Sequence, residues 1–195
     1  MDAEVADVLA LARRFEPVLR YTQGELFLPM PVEPYVEASA LYRRVPGRKM
    51  GELVAPAHTV DLSTLVAHAR ECGGADLELR FVDHPLDRAA YRRWRQRDDR
   101  PRFHGGSPFA MVGLMGRIVD ATMRMSLVVR GKVPGGFAAA AHIRCQESGG
   151  PAPTSYVRAA RDAGYVVLQY WFFYAMNDWR STFAGVNDHE ADWET

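Results

Sequence analysis

Residues 164–178 read GYVVLQYWFFYAMND, and residues 187–195 close the chain with NDHEADWET. The first segment decides the fold. From Tyr165 to Tyr174 it is β-branched, aliphatic or aromatic apart from Gln169, a composition that suits a central strand covered on both faces. In the second segment, an extended Asp192-Trp193-Glu194 sends alternate side chains to opposite faces. Asp192 and Glu194 then share one face, while Trp193 anchors the strand in the core. The intervening 179–188 loop contains Gly185 and lets the two strands pair as a hairpin. That pairing brings Asp178, at the end of the first strand, towards the second.

Working outward, residues 3–14 carry apolar side chains at helical spacing, with Val5, Val8, Leu9 and Ala12 on one face. Pro17 and Gly24 bracket an expected strand at 18–22, and Pro29, Pro31 and Pro34 delay any helix until 35–43. Helices are predicted over 59–70 and 85–97, with an alternating strand at 77–82 between them. Residues 107–131 form the longest apolar helical candidate, with Arg117, Asp120 and Arg124 making one narrow polar stripe. These charges argue against a transmembrane span, and leave peripheral membrane contact through 107–131 as a use for its Met- and Phe-rich face. Residues 131–137 read as a turn, 148–155 as a loop, and 156–162 as a short helix. The sum is an α+β single domain over 1–195. Its core is antiparallel and β-sandwich-like, with a helical insertion at about 59–130.

Lys plus Arg and Asp plus Glu number 24 each, so no global field favours nucleic acid. The stretch 85–103 holds seven arginines with Tyr91 and Trp94 interleaved. Its aspartates dilute that charge, and the aromatics at helical spacing read as core-facing. Abundant arginine and alanine fit a GC-rich, bacterial genome. The N-terminus carries acids where an export signal carries cations, and the two cysteines, Cys72 and Cys145, are far apart in sequence. Both features point to the cytoplasm and reduced thiols.

The acidic end has its own chemistry. Carboxylates within about 5 Å of one another repel unless protons or a cation intervene. Asp178, His189, Asp192 and Glu194 are the candidate metal ligands, with Asn177, Asp188 and Glu190 as outer partners. One imidazole among several carboxylates suits a divalent cation such as Mg²⁺ or Ca²⁺, or Mn²⁺. HEADW lacks the second histidine of the zinc-protease motif. If such an ion activated water, Asp188 or Glu190 would serve as base in a metal-dependent hydrolase.

The pattern YVVLQYWFFYAMND…VNDHEADWE resembles the signature of the vacuolar protein sorting-associated protein 62 family and its related plant proteins of unknown function. The N-terminal FEPVLRYTQGELFLPMPVEPYV is similar to that family's opening at Pro17, Val18, Leu19, Glu25, Leu28, Pro29, Val32 and Glu33. The C-terminal strand pair is also distantly similar to the necrosis-and-ethylene-inducing-like toxins. Those are β-sandwiches that bind a divalent ion and recognise membrane sphingolipids. By position, that resemblance assigns His189, Asp192, Glu194 and Asp178 to the ion, with Asp188 and Ala191 replacing the toxins' glycine and second histidine. It also implies further strands beyond the signature, so the chain reads as a fragment of a longer frame. The function expected is non-catalytic and metal-stabilised, with an unknown protein or lipid as partner. The alternatives are the hydrolase and a membrane-active, toxin-like protein.

Overall fold

The computed structural model describes residues 3–21, 23–48, 51–72, 76–100, 114–150, 152–177 and 188–195. Among these, six helices and six strands follow in the order α1 (Ala3–Arg14), α2 (Val32–Ala38), β1 (Ala40–Arg43), β2 (Glu52–Ala55), α3 (Leu62–Cys72), β3 (Leu77–Arg80), α4 (Arg88–Gln96), α5 (Leu114–Val129), α6 (Gly136–Glu147), β4 (Tyr156–Asp162), β5 (Tyr165–Asn177) and β6 (His189–Glu194). The strands form two antiparallel three-stranded sheets, ordered β2-β1-β3 and β4-β5-β6. The protein is α+β, and its two sheets contribute to one core without closing into a barrel.

Tyr35 of α2 ties the sheets together. Its ring stacks on Phe81, just past β3, at 4.9 Å and meets Phe173 of β5 edge-on at 5.0 Å. All three side chains are buried, with Met30, Leu41 and Met176 around them. Burial of Phe81 and Phe173 is worth about 1.5–3 kcal/mol each. Where β4 ends at Tyr156, the incoming chain takes over the edge of β5: Met30 N–H donates to Phe173 C=O at 2.9 Å. Phe173 is thereby held from both sides.

Several elements depart from the expectation. The segment 18–21 makes no strand; Val18 and Tyr21 are exposed. The helix placed at 35–43 starts earlier, at Val32. Pro34 lies in its first turn, where the missing N–H costs nothing. It stops at Ser39, whose hydroxyl donates to Tyr35 C=O, and the chain continues as β1. Residues 156–162 form β4 rather than a helix. Ala163 and Gly164, at φ 48° and 84°, make a two-residue turn with Asp162 opposite Tyr165. Positive φ at both positions is what a type I′ hairpin needs, and the ladder with β5 overrides the local helix preference of Ala159-Ala160. The stretch 59–130 holds α3, α4 and α5 but also β3, which pairs with β1.

The helix starts follow capping chemistry. Asp61 accepts from Thr64 N–H at 2.7 Å ahead of α3, and Asp87 accepts from Ala90 N–H at 2.7 Å ahead of α4. Trp94 of α4 is buried against His142 of α6, while Arg92, Arg93 and Arg95 face solvent, as the core-facing reading of that helix requires. Among the described residues no helix is long and apolar enough to cross a membrane. Both cysteines are free thiols; burial pushes that of Cys145 up to about 12.

Candidate functional site

β5 and β6 pair as expected, with Phe172 opposite Glu194, Tyr174 opposite Asp192 and Asn177 opposite His189. Trp193 stands over Phe173 at 5.0 Å and Tyr156 at 5.4 Å. It caps the core rather than entering it, since 48% of it stays exposed.

His189 and Asp192 are three residues apart, which in a regular strand places them on opposite faces. Ala191 adopts φ 58° and breaks that alternation. The His189 ring nitrogen Nε2 consequently reaches Asp192 Oδ1 at 3.3 Å. From β5, Asn177 Nδ2 donates to Asp192 Oδ2 at 2.9 Å. Each carboxylate oxygen of Asp192 thus has its own neighbour, and the group is held in one orientation.

Asp192, Asn177 and Glu194 line a cleft of about 320 Å³, opposite Arg20, Tyr21 and Glu25 of the N-terminal segment. Tyr174 lies in its wall. Burial raises the Tyr174 phenol above its ordinary range, and the Tyr21 hydroxyl and the charges of Glu194 and Glu25 add to this. Three carboxylates against one guanidinium make the cleft electronegative. No strand spacing points to Glu25 or Tyr21 as neighbours of Asp192. Glu25 does stand in the N-terminal stretch that carries the family resemblance, which was the one available signal.

The remaining candidates go elsewhere. Asp178 lies outside the described residues. Glu190 turns to the other sheet, where its two oxygens accept from Phe81 N–H and Val82 N–H, each at 2.8 Å. Burial raises its pKa above the ordinary carboxylate range, and those two donors partly offset the rise. Arg144 of α6 braces the same corner, donating to Phe81 C=O and standing 3.7 Å from Asp83. Asp188 lines a different cavity, of about 700 Å³, beside Leu127, Arg130, Lys132 and Phe137.

As a test of fit to a metal, the donor set is partial. Among the described residues no three His, Cys, Asp or Glu side chains converge closely enough to hold an ion. His189 and Asp192 touch, and Glu194 shares the cleft of Asp192 without joining the pair.

No protein-family description, curated protein or solved structure matches the chain.

Proposed function

We propose that the chain is a non-catalytic binding protein whose acidic cleft takes a divalent cation of the oxygen-seeking kind, Mg²⁺, Ca²⁺ or Mn²⁺, and is stabilised by it. The observation that carries this reading is the Asp192 carboxylate. It is oriented by Asn177 and His189 and opens into a cleft shared with Glu194 and Glu25. A cation there relieves the repulsion among three carboxylates. Side chains as long as Glu194 and Glu25 can swing towards it at the cost of about one rotamer change each. The resemblance to the vacuolar protein sorting-associated protein 62 family supports the same assignment. The partner is a protein or a lipid surface, for which the exposed Ile118, Met125 and Val129 of α5 offer apolar contact. Two free cysteines are in keeping with a reducing, cytoplasmic setting.

The test is a thermal melt of the chain after EDTA treatment, then with each ion added. An ion at about 100 times its Kd adds roughly 2.7 kcal/mol to the native state. For a chain of this length that raises Tm by about 5–10 °C, and Asp192→Asn abolishes the rise. An unchanged midpoint with all three ions removes the metal from the account.

A further inference from the structure

At the far end of β5 from the cleft, β4 lies at the edge of its sheet, and among the described residues it pairs with β5 alone. The register sets Arg158 opposite Gln169, Ala160 opposite Val167 and Asp162 opposite Tyr165. These six side chains occupy one face. Arg158 and Asp162 are exposed and have no ion-pair partner among the described residues. Tyr165 and Val167 are exposed beside them, at 75% and 42%. An edge of this kind, backed by exposed aromatic and β-branched side chains, is a template for an added strand.

We propose that the added strand is β4 of a second copy of this chain, running antiparallel about a two-fold axis through Ala160 and joining two three-stranded sheets into one of six. The argument is self-complementary charge. With Ala160 opposite the partner's Ala160, Arg158 stands opposite the partner's Asp162, and the symmetry repeats the pair on the other side of the axis. Val167, Ala160 and their two symmetry mates form one continuous apolar row between the ion pairs. Competing registers are poorer. An axis at Ala159 sets Arg158 opposite alanine and forfeits both ion pairs. Placing the axis between two residues brings Arg158 opposite the partner's Arg161, and also pairs an outward-facing backbone group with an inward-facing one. An unrelated strand has no reason to match the four-residue spacing of Arg158 and Asp162, whereas a second copy matches it automatically.

Sedimentation velocity on the full chain, from about 1 to 100 µM, tests this. The wild type is expected to form a dimer that loosens with added salt, because exposed ion pairs are screened. Arg158→Asp and Asp162→Arg each set like charges opposite one another at two places, and each raises the dimer Kd at least about tenfold. Mixing the two variants in equal amounts restores a dimer, since each then supplies the charge that the other lacks. Circular dichroism melts of both variants verify folding; if either fails to fold, the salt series on the wild type decides alone. The proposal is overturned by a wild type that stays monomeric or forms larger species. Salt-independent dimers, variants that dimerise like the wild type, or a mixture that stays monomeric overturn it equally.

Discussion

The two halves of β5 are both largely apolar and have opposite fates. Tyr165, Val166 and Val167 stand out in solvent, at 75%, 43% and 42% exposure, whereas Phe172, Phe173, Ala175 and Met176 are buried. Both halves hold β-branched or aromatic residues in extended backbone, and both pair with a neighbouring strand. What differs is the layer above. Over the second half lie α2 with Tyr35, the incoming chain at Met30 and the indole of Trp193. Over the first half, the described contact is that of Tyr170, whose hydroxyl donates to Ala12 C=O of α1 at 2.7 Å. Strand propensity therefore decides that a strand forms. The stability it yields, and the site it can orient, are decided by what packs on it.

The sharpest way to break this comparison is to truncate one side chain in each half. Phe173→Ala deletes the contact that Tyr35 and Trp193 share, in a place where neither neighbour can easily collapse. It is expected to cost about 3–5 kcal/mol. Val167→Ala in the exposed half is expected to cost under about 1 kcal/mol. Urea unfolding of the two variants at low micromolar protein measures both, and comparable losses would show the halves to be equally loaded.

The next effect concerns how β6 is fastened to the other sheet. Glu190→Ala leaves Phe81 N–H and Val82 N–H without acceptors beside a buried core, at an expected cost of about 2–3 kcal/mol at neutral pH. Because β6 carries His189 and Asp192, any cation response should weaken in the same variant. The pH dependence has a definite sign. Burial holds the Glu190 pKa above its unfolded value, so the folded state keeps this proton more firmly. Its contribution to stability is therefore largest at low pH and falls as pH rises through the range just above ordinary carboxylates. Wild type and Glu190→Gln, melted between roughly pH 4 and 7, should diverge in that direction. Parallel curves would mean that Glu190 titrates as a solvated acid.

Much of this was legible in the chain itself. The β5–β6 hairpin follows from an apolar run, a loop and an acidic strand with a central tryptophan, and the two carboxylates of Asp192 and Glu194 do share a cleft. The α1 span follows from apolar spacing, and α3 and α4 fall within or close to the helices expected over 59–70 and 85–97. What escaped depends on long-range contact. The strand state of 156–162 comes from its pairing with β5, although its alanines alone favour a helix. α6 escaped because four consecutive alanines give no amphipathic period, yet Ala138, Ala139 and Ala141 are buried. The turn of Ala191 to positive φ, which brings His189 to Asp192, has no marker at all, since alanine has none of the preference for that conformation that glycine or asparagine would signal. Glu190 was grouped with the other acids by proximity in sequence, and only the approach of β3 turns it away.

The smallest predicted effect sharpens the comparison from the exposed side. The β4–β5 turn is built on Ala163 and Gly164, both at positive φ, and alanine accepts φ 48° only with strain. A type I′ turn favours Asn-Gly at these two positions, because asparagine tolerates the left-handed region and its amide bonds locally. Ala163→Asn should thus relieve strain without touching any buried group, stabilising the chain by about 0.5–1 kcal/mol. In the exposed half of β5, where little packs, local turn chemistry is a larger share of what holds the strands together. The gain should accordingly appear as slower amide hydrogen exchange near Tyr165 and Val166, with exchange at Phe173 following only the global change. A uniform slowing along all of β5 would mean that the hairpin tip and the buried half open as one unit, and that the distinction between them is one of exposure alone.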